Sequence, residues 1–304
     1  MFHQVRKYLL MLDSRKDHVK FWRPQILLLV NNPRYNCNLI KFVNFLKKSG
    51  LYIIGHVHVG DLDTLEGPDP SVSEIRHWQT LIDHLEVKAF PEVTVAKSIR
   101  EGLQQLARIS GLGAMKPNTI LIPMMNFGHD PKPTVDYFGD ENSKFYKEDL
   151  KHLFSNKTVT SDDETEDFDE DLTNQNLELM KTVSDMIKLD KNVCLTRNFD
   201  NFEYKSKKYL DVWLIDFFDK PNQEVSDPGQ SFMLQLAVIL KMQEDMKNLK
   251  IRVFVRVMEE RLEIEMRKKL ERMLYGLRIV ATVHILSFHR AYTLLEVRGI
   301  HSNP

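Results

Sequence analysis

The feature that most constrains this chain is an alternation between short apolar runs and segments with helical spacing of apolar residues. Ile26–Val30 is a continuous apolar run, and NNPRYN after it is a turn signal. Leu39, Val43 and Leu46, with Ile40 beside them, then share one face of a helix. Leu51–Val59 (LYIIGHVHV) is rich in β-branched and aromatic residues and reads as a second strand. The loop GDLDTLEGPDP follows, and Ser71 or Ser73 is positioned to cap a helix reaching about Leu85. Lys88–Val95 reads as a third strand. Ile99, Leu103, Leu106 and Ile109 form the next helical stripe, and Thr119–Met124 is a fourth strand.

The pattern resumes further on. Leu177, Met180, Val183 and Ile187 mark a helix, and Asn192–Thr196 a strand. Leu210–Phe217 is reached without an intervening helix, so it is expected at a sheet edge or in an antiparallel pair. Met233, Leu236, Ala237 and Leu240 mark a helix before the strand Ile251–Met258. A long helical stripe from Leu262 to Leu277 leads to a last strand, Ala281–Phe288. Strands that alternate with 10–15-residue helices build βαβ units and a mostly parallel sheet. Continuous apolar strands are those of sheets covered on both faces. The expected fold is therefore α/β: two similar lobes with mostly parallel sheets flanked by helices, one continuous sheet being the other arrangement that fits.

Charge divides the chain. Ser161–Asp171 (SDDETEDFDED) holds eight acidic groups and no basic one, so the other 293 residues carry 42 basic against 35 acidic charges, a surplus of +7. Such a block repels itself and buries little, which predicts disorder. Four parts are expected: a linker helix over 1–20, a first lobe over 21–127, a flexible acidic insert over 128–174 and a second lobe over 175–304. The linker holds Val5, Leu9 and Leu12 on one face, and residues 1–25 carry six basic against two acidic side chains. A basic amphipathic helix suits a membrane-facing or partner-facing role, and equally an ordinary helix packed on the first lobe.

Few functional classes survive the composition. Two cysteines, Cys37 and Cys194, rule out a disulfide scaffold and suit a reducing compartment. No run of 18 apolar residues spans a bilayer, and MFHQVRKYLL lacks the layout of a secretory signal. Neither a nucleophile elbow, nor a zincin motif, nor a phosphate-binding loop occurs, so no enzyme is expected. His56 and His58 stand two apart on a strand and face the same side, but without a third ligand at a recognisable spacing they read as sheet-surface histidines rather than a metal site. The basic surplus is scattered among Glu259, Glu260, Glu263 and Glu265 without interleaved aromatics, which argues against nucleic acid. The glycines of SGLGAMKPN follow a helix and precede a strand, the order of a helix-ending turn.

Particular strings carry a family resemblance. VRKYLLMLDSRKDHVKFWRPQILLLVNNPR resembles the segment that leaves the last transmembrane helix of cation–chloride cotransporters and enters their cytosolic C-terminal domain. KKSGLYIIGHVHVGDL, VKAF, SGLGAMKPNTILI, LDVWLIDF, IRVFVRV and LRIVATVHIL continue it over nearly the whole chain except the insert. It is strongest to the branch holding the fungal vacuolar potassium–chloride cotransporter and its animal relative. It implies a cytosolic two-lobed domain similar to universal stress proteins, on the cytosolic face of a vacuolar membrane, or of a plasma membrane. That domain assists dimerisation and phospho-regulation of an electroneutral potassium–chloride symporter, and the ion sites lie in a transmembrane part outside this chain.

Specific residues follow from that reading. Val5, Leu9 and Leu12, then Phe21 and Trp22, would anchor the linker helix to its counterpart in a homodimer, with Arg15 and Lys16 on headgroups or the partner. Thr160 and Ser161 each have an acidic residue three positions on, as an acidophilic kinase requires. Open α/β sheets bind ligands beyond their strands' carboxyl ends. ATP there would meet Asn31, Asn32 and Arg34 after the first strand and Asn126 and Gly128 after the fourth. The stress-protein pattern has several glycines at that last place and this chain has Gly128, so an empty site is the other reading. A free-standing nucleotide-binding protein of stress-protein type is the rival identity.

Overall fold

The computed structural model describes residues 2–11, 23–33, 36–64, 67–124, 168–199, 202, 206–214, 228–257 and 260–287. It divides the chain into two compact units, Met1–Phe202 and Glu203–Pro304.

In the first unit the elements are α1 (Phe2–Met11), β1 (Ile26–Leu29), α2 (Cys37–Leu46), β2 (Tyr52–Val59), α3 (Pro70–His84), β3 (Phe90–Ala96), α4 (Ile99–Ile109), β4 (Thr119–Pro123), α5 (Phe168–Lys188) and β5 (Asn192–Thr196). The five strands form one sheet in the order β3-β2-β1-β4-β5, with every pair parallel. Ile26 to Leu29 are all buried, as a central strand covered on both faces demands. Leu27, Leu29, Ile53, Ile120 and Ile122 meet Leu103 and Leu106 of α4 and Met186 of α5. Tyr52 lies on the other face, where its hydroxyl donates to the Ile40 carbonyl of α2, and His56 there packs beside Trp78 of α3. The strand order reverses between β1 and β4, so their carboxyl ends frame the crevice of a doubly wound sheet.

Local chemistry places the helix ends. Asp69, not Ser71 or Ser73, caps α3: its side chain accepts from the Ser71 amide at 2.9 Å, and Pro70 opens the helix. Ser98 caps α4 through the Glu101 amide. A Cβ on Gly102 would stand 2.4 Å from Val57 Cγ1, so the absence of a side chain there is what brings α4 down on β2.

The second unit contains β6 (Tyr209–Leu214), α6 (Pro228–Lys241), β7 (Lys250–Val257), α7 (Glu263–Gly276) and β8 (Thr282–Ser287). Its sheet runs β6-β7-β8, again all parallel. Val212, Leu214, Ile251, Val253 and Val255 pack against Leu234 and Ala237 of α6 and Leu270 and Leu274 of α7. Of the strand expected over 210–217 at an edge or in an antiparallel pair, residues 215–217 lie outside the described residues; the rest, in β6, is an edge strand among the described residues and runs parallel to β7.

The α/β class with mostly parallel sheets flanked by helices is thus what forms, but the expected boundaries move. The sequence reading places the segment from 175 to Thr196 in the second lobe. It belongs to the first unit because β5 pairs with β4 from Thr119↔Asn192 to Pro123↔Thr196. Leu179, Val183 and Val193 also pack on the first core. Among the described residues the two sheets hold five and three strands, so the likeness of the lobes is one of architecture rather than size. The acidic insert expected over 128–174 ends inside α5, which begins at Phe168. Residues 125–167 lie outside the described residues.

Candidate functional site

The carboxyl edge of β1 and β2 gathers more chemistry than any other described part of the first unit. Asn31 is exposed, and the chain then turns into α2. The Asn32 carbonyl accepts from the Asn36 side chain at 2.8 Å, and the Pro33 carbonyl accepts from the Asn36 amide and from the Cys37 thiol. This turn therefore spends its carbonyls on its own helix. Of the five residues expected around a nucleotide, Asn31 and Asn32 are seen here; Arg34, Asn126 and Gly128 lie outside the described residues.

One strand further, His56 and His58 do face the same side, but His56 is no surface residue. Its side chain is 16% exposed, and it shares Glu74 of α3 with His58. His58 Nδ1 stands 2.8 Å from Glu74 Oε1, and His56 Nδ1 stands 2.8 Å from the Val30 carbonyl oxygen. His56 Nε2 faces Glu74 Oε2 at 3.6 Å, beyond hydrogen-bond reach, and Oε2 is buried without a hydrogen-bond partner. The Trp78 ring packs beside His56, its centroid 5.3 Å from that of the imidazole. Burial pushes His56 below the ordinary histidine value; the Val30 carbonyl and the Glu74 charge oppose that shift. Glu74 and Trp78 are one helical turn apart and so share a face of α3, a signal present in the sequence; that this face meets the two histidines is a tertiary fact. Among the described residues no group of three His, Cys, Asp or Glu side chains is arranged to hold a metal ion.

Burial pushes both thiols up, Cys37 to about 12 and Cys194 to about 11, which disfavours the reactive thiolate.

The glycine turn after α4 is the second place of interest. Gly111 takes φ +92° and Gly113 φ +61°, so the segment ends the helix in a left-handed turn. A Cβ on Gly111 would meet the Met115 carbonyl oxygen at 2.1 Å. Gly113 lies against α1, where a Cβ would stand 3.6 Å from the Leu9 carbonyl oxygen. Leu9 is half-buried, while Phe2, Val5, Tyr8, Leu10 and Met11 are exposed. The other expected linker residues, Leu12, Arg15, Lys16, Phe21 and Trp22, and the expected phosphorylation positions Thr160 and Ser161, lie outside the described residues.

In the second unit the sheet face opposite α6 and α7 carries a row that sequence reading missed. Trp213 stacks on Phe254 at 4.5 Å, and Phe254 on His284 at 4.8 Å. They occupy one register line across three strands. Arg252 clasps Asp211 with two bonds, Nε to Oδ1 at 2.7 Å and Nη2 to Oδ2 at 2.6 Å, and lies over the Tyr209 ring. The alternation of each strand predicts which residues share this face; the register that aligns them is set only by pairing.

Among the described residues no helix is long and apolar enough to cross a membrane. The fold defines the class: doubly wound α/β in the first unit, a smaller parallel α/β sheet in the second. The crystal structure of the cytoplasmic domain of a prokaryotic cation chloride cotransporter has this fold, with a TM-score of 0.52, 11% identity, and cover of 88% of this chain and 79% of that one. A family model for solute carrier family 12 matches residues 36–129. Solute carrier family 12 member 9 of Danio rerio is 37% identical over 100% of this chain and 35% of its own length. Vacuolar cation-chloride cotransporter 1 of Saccharomyces cerevisiae is 29% identical over 94% of this chain and 27% of its own. The chain carries a domain of solute carrier family 12, and it spans about a third of the length of the curated relatives it matches.

Proposed function

We propose that this chain is the cytoplasmic, regulatory and dimerisation part of an electroneutral potassium–chloride cotransporter on a vacuolar membrane, and that it acts as a mechanical coupling module rather than an enzyme. The observation that carries this reading is α1. It is basic, through Arg6 and Lys7, and it leaves Phe2, Val5, Tyr8, Leu10 and Met11 exposed while only Leu9 leans on the Gly113 turn. Apolar side chains left uncovered along one short helix call for cover from elsewhere. A counterpart helix and the membrane part of the same polypeptide supply it in this reading. The relative named a vacuolar cation-chloride cotransporter supports chloride moved with a cation as the cargo; potassium as that cation is part of the proposal.

The test uses the polypeptide expressed from its complete reading frame. Leu9→Asp combined with Leu12→Asp is expected to abolish dimerisation on crosslinking and to lower chloride-dependent potassium flux into vacuolar vesicles at least tenfold. Unchanged dimerisation and flux would remove the coupling role. Flux found at the plasma membrane instead would move the assignment of membrane without touching that of coupling.

Regulation in this reading acts through Thr160 and Ser161, which sit at the head of the acidic block and meet the requirement of an acidophilic kinase. Each phosphate adds a charge of about −2, and so strengthens attraction of that block to basic surface. Thr160→Ala with Ser161→Ala is expected to flatten the response of flux to phosphatase treatment. A response equal to that of the unmodified sequence rejects the switch.

A further inference from the structure

The cluster at the carboxyl edge of β2 contains an unmatched pair of acceptors. A carbonyl oxygen only accepts, so the 2.8 Å contact between His56 Nδ1 and Val30 requires the proton on Nδ1. A carboxylate likewise only accepts, so His58 Nδ1 donates to Glu74 Oε1. Neutral His56 then presents a lone pair at Nε2, and this faces the buried, unpartnered Oε2 of Glu74 at 3.6 Å. A buried acceptor with no hydrogen to accept is costly, and Glu74 Oε2 is one. One proton is what the geometry of the pair lacks.

We propose that His56, His58 and Glu74 form a proton-binding site: His56 takes up one proton from solvent at Nε2, and Glu74 Oε2 accepts the N–H so formed. No heavy atom has to travel far, since Nε2 and Oε2 already stand 3.6 Å apart and a charge-assisted bond is about 2.8 Å long. The Nδ1–H bond to Val30 persists, so the protonated ring bridges β1 and α3.

The surroundings decide when this happens. From its own strand His56 faces His58, whose charge opposes a second one; from α3 it faces Glu74, whose charge favours it. β1 contributes the Val30 carbonyl and β3 the apolar Val93 and Val95, in register with His56 and His58. Asp69, at the start of α3, is held low mainly by hydrogen bonds from Ser71, with His58 a minor influence, and His77 lies on the turn of α3 after Glu74 with its Nδ1 unpartnered. Burial is the largest influence and holds His56 below the ordinary histidine value of about 6.5. Because the folded value is the lower one, the unfolded chain binds more protons in the window between the two. Stability from this group is therefore complete above the ordinary value and falls as the pH drops through that window.

Titration of the 304-residue chain with labelled histidines, followed by nuclear magnetic resonance, tests the site. At pH 7.5 His56 is expected as the Nδ1–H tautomer, with a midpoint below that of a free histidine. Glu74→Gln removes the favourable charge with little change of shape and is expected to lower the midpoint further, by about one pH unit. His58→Gln removes the opposing charge and is expected to raise it. A fall from one variant and a rise from the other would not follow from loosened packing, which moves both toward the free value. An Nε2–H tautomer at pH 7.5, or midpoints that ignore both substitutions, would overturn the proposal.

Discussion

Trp78→Ala is expected to cost the first unit about 3–5 kcal/mol. Trp78 heads the fully buried side chains and is 1% exposed. It sits on the face of α3 that lies over β2, with Leu81 and Ile82 buried on the same helix. Truncation loses the transfer energy of the ring and leaves a cavity that the flat sheet below cannot collapse to fill. Domains hold only about 5–15 kcal/mol of net stability, so the loss is a large share of it. Urea unfolding is the measurement: the midpoint falls while the slope keeps its value, as for a change in stability without a change in exposed surface. Trp78→Phe, which keeps most of the volume, is expected to lose far less. The same truncation removes the ring packed beside His56 and lets water reach the imidazole. Since burial is the main cause of its depressed titration, the midpoint in Trp78→Ala is expected to climb back toward the ordinary value. A loss below about 1 kcal/mol would mean that α3 is not anchored through this residue.

The second large effect is expected from Val253→Asp. Val253 is completely buried on the middle strand of the second unit's sheet, between Val212 and Val283 in register. Leu234 and Leu270 belong to the same core, whose described members are all apolar and offer a carboxylate no partner. A polar group buried without a partner costs several kcal/mol, on the order of 2–7, and an ionised one protonates or unfolds its surroundings. Amide exchange should then lose protection across β6, β7 and β8 while β1 to β5 keep theirs. Arg256 is three residues further along β7 on the opposite, exposed face. Arg256→Gln is expected to stay within about 0.5 kcal/mol of the parent. Equal effects at the two positions would contradict the facing of β7.

Much of this was legible beforehand, for reasons that differ by element. β1 could be read from ILLLV because only a strand covered on both faces has no polar side. The end of α4 could be read from GLG because the left-handed turn excludes most side chains; Gly111 at φ +92° is the observed instance. The pairing of His56 and His58 on one side followed from the two-residue period of a strand. The cap of α3 falls two residues before Ser71 and four before Ser73 because Asp69, Ser71 and Ser73 are all competent caps, and only the trajectory of the entering loop selects one. The boundary between units was misplaced because a strand's side chains say that it is buried, not in which sheet. β5 joins β4 by hydrogen bonds between residues more than seventy apart in sequence, as Asn192 to Asn118 shows.

By itself, then, the order of residues determined the periods: where strands and helices form, which faces are apolar, and where glycine and proline interrupt them. Those are properties of a few neighbouring residues, set by backbone sterics and by apolar surface avoiding water. Tertiary structure alone decided the partners: β5 beside β4, Trp213 in line with Phe254 and His284, and Glu74 over His56 and His58. Pairing across long stretches of chain is chosen by the sum of the whole core, and no short segment carries that sum.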